Sequence, residues 1–395
     1  MPSSTEPPIE WRFVDSVAAV GDWIDHHPLL SQRFLSCLED SGGIDAEHGW
    51  QPQHLVARQA GETRAILPLY LKSHSMGEFV FDFAFARAYQ QQQLDYYPKL
   101  LSMVPCTPVT VPRVLVADPT QAAALHQQAL QILRQATPNA ASSAHVLFLP
   151  ESELAAYRDA GFLHRQDCQF HWFNQGYADF DHYLTTFTAQ KRKKTKRERR
   201  RIEEMGIRLE WRRSDDLSDA DWQRVYALKR LTFLRHGHEP YLPERFFTLV
   251  KERCPDACWV NLAHHGSELL AAAIFFKSHD TLYGRYWGAT EAVHSLHFEV
   301  CYHQGIEFCI AHRLARFEPG TQGEHKIARG FTPTLTHSMH YFGEPAFQAA
   351  ARHYFAQERQ AVEQYQHSAQ ELLPFKSTVL NEQALRDWVQ PRDAT

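Results

Sequence analysis

A pattern that occurs twice in the sequence constrains the fold of this chain more than any other feature. Residues 56–74 (VARQAGETRAILPLYLKSH) and 260–279 (VNLAHHGSELLAAAIFFKSH) both read as a strand, a polar turn with glycine, a longer apolar strand and the tripeptide Lys-Ser-His. A third short apolar segment follows each copy, at 79–83 and at 282–287. Two antiparallel meanders with the same order of features indicate a duplicated domain.

Segments with helical periodicity flank both copies. Repeated strands combined with flanking helices predict an α+β fold of two related lobes, each a mixed, mostly antiparallel sheet covered by helices. We place a flexible N-terminus at 1–10, the first lobe at 11–175, a basic helical junction at 176–206 and the second lobe with its C-terminal helix at 207–395. The segments with helical periodicity are Pro28–Glu39, Gln121–Gln135, Glu151–Ala160, Ser218–Arg235, Pro243–Arg253, His297–His312 and one within Pro345–Leu372.

The composition indicates a soluble protein of the cytoplasm. Of 395 residues, 44% are apolar and 22% charged, which is ordinary for globular proteins. The longest apolar run, 269–276, is too short to cross a membrane, and the N-terminus lacks the basic start and apolar core of a signal peptide. Seven scattered cysteines are typical of reduced thiols. The 24 histidines complete no recognisable metal set, so we expect neither a metal nor a tightly bound cofactor.

Positive charge is concentrated in one segment. Residues 191–201 (KRKKTKRERRR) hold nine basic residues and one acid, within a chain of net charge −5. The residues favour a helix that ends at Gly206, a good C-cap position. Such a helix is either a solvated surface or a clamp for an anionic partner such as RNA or a coenzyme pyrophosphate, and mutual repulsion favours the clamp. The expected anion-binding residues are Lys191, Arg192, Lys193, Lys194, Lys196 and Arg197.

A twenty-residue stretch, 316–335 (RFEPGTQGEHKIARGFTPTL), carries the strongest signal of chemistry. It follows a short alternating run at 314–317 that predicts a strand, and its glycines favour a turn. The turn holds a carboxylate, an imidazole and an ammonium in succession, which supply a proton acceptor, a proton donor and a fixed charge. The alternative is a solvated loop in which the carboxylate and ammonium pair and the imidazole packs inward. The three expected catalytic residues are Glu324, His325 and Lys326.

Together with the two lobes and the basic helix, these motifs resemble the FemAB-like predicted N-acyltransferases. This bacterial, peptidoglycan-related family belongs to the Fem aminoacyltransferase branch of the Gcn5-related N-acetyltransferase superfamily. The resemblance extends from Trp11 to the C-terminal helix. The stretches that carry it are Tyr96–Lys99 with Val104–Arg113, Tyr283–Gly288, and Phe317–Gly320 with Gly323–Phe331.

The resemblance implies two tandem Gcn5-related acyltransferase-like lobes and transfer of an acyl or aminoacyl group to an amine. It assigns to Lys326 a role in the acyl-transfer transition state. Glu324 or His325 then takes the proton of the amine, and the two alternatives remain open. We expect the active cleft to lie between the lobes. The expected substrate-binding residues are Arg285, Tyr283, Trp287, Arg329, Thr107, Arg113 and Tyr97.

Two of these assignments have structural alternatives. Arg285 lies among aromatic residues, so it either binds a carboxylate or stacks on a ring as a cation–π contact. The proline-rich loop at 105–113, which contains Thr107 and Arg113, either shapes a wall of the substrate pocket or simply packs.

The acyl donor is left open by the sequence. Acetyltransferases of the superfamily hold coenzyme A on a glycine-rich turn that opens a helix, and no such turn stands at 289–296. Its absence favours aminoacyl-tRNA, whose phosphates the basic helix would meet. The alternatives are an acyl-CoA-dependent N-acetyltransferase with a modified anion site, and a non-catalytic nucleic-acid-binding module that uses the helix at 191–201. The acceptor is a small molecule or a peptide.

Overall fold

A computed structural model describes residues 7–321 and 323–379 of the protein. These residues form two compact units, each assembled from separate segments of the chain. Unit 1 contains residues 7–167, 241–249 and 336–362, and unit 2 contains residues 168–240, 250–321, 323–335 and 363–379.

Unit 1 holds two sheets. The first has the strand order β1-β3-β4-β7 and is antiparallel throughout. The second follows the order β8-β6-β5-β2, with β6 and β8 parallel. The elements of unit 1 are β1 (Glu10–Val14), α1 (Gln32–Asp40), β2 (Trp50–Pro52), β3 (His54–Gln59), β4 (Glu62–Leu67), β5 (Tyr70–Lys72), α2 (Phe83–Gln91), β6 (Lys99–Ser102), β7 (Leu115–Val116), α3 (Ala122–Ala140), β8 (Ser143–Leu149) and α4 (Leu154–Asp159).

Unit 2 is built on one sheet. Its strands follow the order β10-β11-β12-β13-β14, antiparallel except for the parallel pair β13 and β14. A core of apolar side chains fills the space between this sheet and its helices. The elements are α5 (Phe180–Thr185), α6 (Ala189–Glu204), β10 (Ile207–Arg213), α7 (Asp219–Arg235), β11 (Cys258–His265), β12 (Glu268–Lys277), β13 (Thr281–Ala289), α9 (Leu296–Phe298), α10 (Gln304–Ala311) and β14 (Arg316–Glu318).

Four further elements begin in one unit and end in the other. They are β9 (Leu163–Phe173), α8 (Glu244–Arg253), β15 (Thr332–Phe342) and α11 (Pro345–Gln370). In unit 1, residues 337–342 of β15 pair with β8, and in unit 2 the last two residues of β9 pair with β14. The unit boundaries therefore differ from the continuous lobes expected at 11–175 and 207–395, because late segments of the chain complete unit 1.

The structure confirms the predicted α+β class, with mixed sheets flanked by helices. In the second copy of the repeat, β11, β12 and β13 form the expected antiparallel meander. In the first copy, β3 and β4 form the hairpin, but the predicted third strand at 79–83 is wrong, since that segment leads into α2. Pro68 ends β4 because proline has no N–H for the ladder, and β5 joins the other sheet.

Candidate functional site

The two parallel strands of unit 2 separate after a short pairing. β13 and β14 are paired only from Thr281 and Arg316 to Tyr283 and Glu318. Beyond Tyr283, β13 continues to Ala289 without a strand partner on that side among the described residues. The chain that leaves β14 crosses close to Gly284, where an added Cβ would lie 3.2 Å from the Cα of Pro319. We refer to the region where β13 continues past the end of β14 as the opening.

The helical segment between the two strands is irregular. It begins at Ser295, whose φ of 69° is left-handed, and continues from α9 into a π-helix at Glu299–His303 before α10. A π-turn admits an extra residue and so turns side chains in directions that a regular helix does not allow. Here it places Tyr302, whose Oη lies 2.9 Å from Nε2 of His325.

The predicted catalytic residues lie on a 3-10 helix, Glu324–Arg329, that follows β14. Its ends are set by Gly323, with φ 114°, and by Gly330, with φ 83°, conformations that glycine adopts without strain. Successive side chains of such a helix point in different directions. The carboxylate of Glu324 accordingly faces solvent and accepts a hydrogen bond of 2.9 Å from Tyr365 Oη, while Lys326 faces inward.

Lys326 is buried, and no carboxylate of the described residues neutralises it. Its side chain is 1% exposed, and Nζ donates a hydrogen bond of 2.7 Å to the carbonyl of Gly320, its only hydrogen bond to a described residue. Burial lowers the pKa of Lys326 to about 7, while the nearby thiol of Cys301 acts in the opposite direction. An ammonium that lacks an anion and titrates near neutrality is well suited to meet negative charge that develops during a reaction.

His325 lies beside Lys326 and remains accessible to solvent. Its ring packs against Phe298 at 5.6 Å and His297 at 6.1 Å. Burial, Lys326 and Arg329 lower the pKa of His325 below its ordinary value, because each disfavours the imidazolium. The imidazole is therefore neutral at neutral pH and can accept a proton. The alternative in which Glu324 and Lys326 pair while His325 packs inward does not describe the structure.

Arg329 is occupied within unit 2. One guanidinium nitrogen donates to the carbonyl of His325 at 2.7 Å, and another donates to Glu198 of α6 at 3.1 Å. Its Cζ lies 3.4 Å from the ring centre of Phe298. These contacts fix the 3-10 helix against α6 and α9. Arg329 thus supports the position of Lys326, whereas its place in the motif predicted substrate binding.

The aromatic strand residues divide between the opening and the core. Trp287 lies 5.1 Å from the ring of His297 and so borders the opening. Tyr283 is 2% exposed. Arg285 is the extra residue of a β-bulge, since Gly284 and Tyr286 pair with consecutive residues of β12. The Cζ of Arg285 lies 5.4 Å from the centre of the Tyr286 ring. That contact supports the cation–π alternative for Arg285.

The expected first-lobe residues belong to unit 1. Thr107 and Arg113 are fully buried, and Arg113 donates to the carbonyls of Leu147 at 3.0 Å and Val109 at 2.7 Å. Their burial favours the packing alternative for the proline-rich loop. Tyr97 is half-buried, with its hydroxyl 2.8 Å from Ser75 Oγ.

A buried ionic cluster organises the same part of unit 1. Lys99, 0% exposed, bonds to Glu78 Oε2 at 2.7 Å and to the carboxylate of Asp82. Tyr96 Oη donates to Asp82 at 2.6 Å. Burial raises the pKa of Glu78 to about 7, although Lys99 opposes the change. A buried lysine paired with two carboxylates holds β6 against the start of α2 and the loop that precedes it.

Sequence reasoning missed several residues near the opening. The clearest is Glu318 on β14, which is 4% exposed and whose pKa burial raises to about 7. Nε of Arg316 lies 3.1 Å from Glu318 Oε1 as an ion pair without hydrogen-bond geometry. Glu318 directly precedes Pro319-Gly320, so its place in the motif was visible, but its burial was not. Tyr302 and His297 were also missed, since the irregular helix that positions them has no sequence signature.

The basic segment is helical, as predicted, and forms most of α6. Three of its cations are paired: Lys194 with Glu198 at 4.0 Å, Lys196 with Asp181 at 2.7 Å, and Arg199 with Glu299 and Glu307 at 3.1 and 2.7 Å. Lys191 and Arg192 are half-buried. The exposed cations of α6 are Lys193, Lys194, Lys196, Arg197, Arg200 and Arg201. This helix presents a dense positive surface to solvent.

Residues 7–321 and 323–379 contain neither a cluster of metal-ligating side chains nor a helix that could span a membrane. In that part of the chain no three His, Cys, Asp or Glu side chains are placed to hold a metal ion. None of its helices is both long and apolar enough to cross a membrane.

The fold of this chain is similar to the folds of several solved proteins. FemX matches with a TM-score of 0.51 and 11% identity, over 86% of this chain and 99% of its own. A tandem GNAT protein from the clavulanic acid biosynthesis pathway matches with a TM-score of 0.43 and 12% identity, over 86% and 99% of the two chains. L-PGS from Bacillus licheniformis matches with a TM-score of 0.48 and 10% identity, over 84% and 98%.

The family follows from the sequence itself. A profile of the FemAB-like family, described as peptidoglycan biosynthesis/recognition, matches residues 7–377. The chain belongs to the FemAB-like family, as its motifs indicated. No curated protein sequence gives a significant match.

Proposed function

We propose that this protein is an N-acyltransferase that moves an acyl or aminoacyl group to an amine, with its reaction centre at the opening between β13 and β14. The observation that carries the proposal is the buried ammonium of Lys326, which lacks a carboxylate partner among the described residues and has a pKa lowered to about 7. Membership of the FemAB-like family and the FemX-like fold agree with this chemistry. The family resemblance also implies that Lys326 acts in the transition state of acyl transfer.

The reaction requires one new bond and one broken bond. The neutral amine nitrogen attacks the carbonyl carbon of the donor, and the carbonyl oxygen becomes an oxyanion that the ammonium of Lys326 stabilises. The nitrogen loses its proton to the imidazole of His325. If Nε2–H of His325 donates to Tyr302 Oη, the lone pair of Nδ1 is the acceptor. Collapse of the intermediate expels the ester oxygen or thioester sulfur of the donor, which receives a proton from the imidazolium.

We assign aminoacyl-tRNA as the donor and α6 as the helix that meets its phosphates. Six exposed cations on one helix support this assignment, as does the lack of a glycine-rich turn before α9. Acyl-CoA is the second candidate, held at an anion site of different construction. A non-catalytic nucleic-acid-binding module would also bind through α6. It would not explain why Lys326 is buried without a carboxylate partner among the described residues.

The donor is tested by titrating the full-length protein with tRNA and with acetyl-CoA at two salt concentrations. We expect saturable tRNA binding that weakens steeply with salt, because phosphate contacts release counterions. Replacement of Lys193, Lys194, Arg197 and Arg200 by glutamine should reduce both the affinity and the salt dependence. Arg33→Gln, an exposed site on α1, is the matched control. Saturable coenzyme A binding without tRNA binding would overturn the tRNA assignment.

A further inference from the structure

Unit 1 contains a cavity that the proposed acyl-transfer chemistry does not use. It has a volume of about 380 Å³, within the range of small-molecule sites, which is roughly 300–1,000 Å³. Its polar lining consists of three arginines and one histidine, Arg158, Arg352, Arg359 and His164. Among the described residues, no carboxylate contributes to the lining.

Three elements of unit 1 deliver these side chains. Arg352 and Arg359 lie seven residues apart on α11, so they project from the same face two turns apart. Arg158 occupies the last turn of α4, and His164 lies at the start of β9. Because the positions come from separate elements, the cluster is a product of the fold and not of a basic run in the sequence.

Hydrogen bonds within the cluster fix its geometry. Arg359 Nη1 donates to the carbonyl of His164 at 2.8 Å, and Arg158 Nη2 lies 3.0 Å from His164 Nδ1. Burial, with His337, Arg158 and Arg359, lowers the pKa of His164 to about 3. The imidazole is therefore neutral, Nδ1 accepts from Arg158, and Nε2–H donates to His337 Nδ1 at 3.1 Å.

The positive charge of the cluster is not compensated within the described residues. None of its three arginines forms an ion pair there with a carboxylate within 4.0 Å. Glu358, the neighbour of Arg359 in sequence, binds Arg165 through both oxygens at 2.7 and 2.8 Å. Three guanidinium groups around one cavity repel each other, and an anion in the cavity removes that repulsion.

An apolar surface lies beside the arginines. Phe162, Leu163 and Phe355 line the cavity and are otherwise buried, with exposed fractions of 3%, 6% and 1%. Phe355 occupies α11 between Arg352 and Arg359, three residues after the first. A ligand that meets both surfaces has an anionic group and an apolar or aromatic part.

We propose that this cavity binds a small molecule carrying a phosphate group, with the phosphate held by Arg158, Arg352 and Arg359. Three guanidinium forks from two helices suit a tetrahedral group with several acceptor oxygens better than a planar carboxylate with two. The volume of the cavity suits a small molecule or a lipid headgroup better than the extended backbone of a nucleic acid. The site is independent of the proposed acyl transfer, since its residues belong to unit 1.

The test is calorimetric titration of the full-length protein with inorganic pyrophosphate and with ADP, and sedimentation with vesicles of phosphatidylglycerol or phosphatidylcholine. All titrations use the variant with a neutralised α6, so that binding there does not contribute. We expect saturable binding of at least one phosphate compound, or of the anionic vesicles alone if the source is a lipid headgroup. Arg352→Gln, at an exposed position of α11, should weaken binding about tenfold or more.

The Arg352→Lys variant distinguishes a specific phosphate site from nonspecific electrostatic attraction. It keeps the charge but loses the fork, so it should recover only part of the affinity. Arg33→Gln is the control and should bind as the parent does. Failure of every probe to bind, or equal affinity of the Arg352→Gln and Arg33→Gln variants, would overturn the proposal.

Discussion

Burying the ammonium of Lys326 opposes folding, because the charge leaves water and pairs with no carboxylate in the part of the chain that the structure describes. Its folded pKa of about 7 lies below the ordinary 10.5, so the unfolded chain binds more protons between those values. The cost is fully present below pH 7 and disappears as the pH rises toward 10.5. A group that lowers stability in this way is retained for a purpose other than folding.

We therefore predict that Lys326→Met stabilises the protein while it impairs the reaction. The free energy of unfolding at pH 6.5 should rise by about 2 to 5 kcal/mol, because the shift of the lysine pKa is removed. The difference from the wild type should shrink as the pH is raised above 8. Denaturant titrations at several pH values measure both effects. Destabilisation at pH 6.5 would contradict the assignment of Lys326 as an unpaired buried cation.

The pH dependence of the reaction follows from the same residues. Acyl transfer needs Lys326 protonated and His325 neutral. The logarithm of kcat/KM should therefore fall with pH above about 7, as Lys326 loses its proton. It should also fall well below pH 6.5, where His325 gains one, since its pKa lies below the ordinary value. An activity that keeps rising beyond pH 8 would mean that Lys326 acts as a neutral base.

Residue identity was easier to predict than residue environment. The glycine-bounded motif was enough to select Lys326. Its burial depends on the 3-10 helix, and the partner of His325 depends on Tyr302, which a π-turn brings back toward the motif. Side-chain direction of this kind is set by packing between distant segments, so local spacing does not contain it. For the same reason, the burial of Glu318 could not be predicted, since its place in the sequence indicated an exposed loop residue.

At the scale of elements, the 3-10 helix depends on its closing glycine. Gly330 has φ 83°, and a Cβ there would lie 2.0 Å from Tyr183 Oη, which itself donates to the carbonyl of Arg329 at 2.8 Å. We predict that Gly330→Ala destabilises the protein by about 2–4 kcal/mol and displaces Lys326, with loss of activity. Gly237→Ala is the control, since Gly237 has φ 85° with open space around it. Equal stability of the two variants in thermal unfolding would contradict this account.

Helices and hairpins were predicted well because their signals are local. The basic segment became α6, and the second copy of the repeat became the meander β11-β12-β13. The first copy departs from its counterpart at Pro68, which sends the following strand to another sheet. Strand partners depend on contacts between distant residues, and a repeat in sequence does not fix them.

At the scale of the molecule, unit 1 is completed by chain that comes nearly two hundred residues later. Residues His337–Phe342 pair with β8, and Ala351 and Phe355 of α11 pack in a core cluster with Phe85. We predict that a fragment of residues 1–175 does not unfold cooperatively by itself. Addition of residues 336–362 through a flexible linker should restore a cooperative transition, followed by circular dichroism. Cooperative unfolding of the fragment alone would show that the late segments are dispensable.

The domain organisation was the hardest feature to predict from sequence. Two lobes were indicated by the repeat, but their boundaries were drawn as continuous ranges. The chain instead passes between units several times, within β9, α8, β15 and α11. No local signal marks such a passage, because an unbroken helix or strand has no linker composition.

The central claim is that Lys326 serves acyl transfer, and a single-turnover assay tests it most directly. Labelled aminoacyl-tRNA or labelled acetyl-CoA is mixed with excess enzyme and a pool of amine acceptors, and amide formation is followed. We predict transfer by the wild type, a loss of about a hundredfold in rate for Lys326→Met, and an unchanged rate for Lys277→Met. An equal rate for wild type and Lys326→Met, or no amide from either donor, would contradict the account.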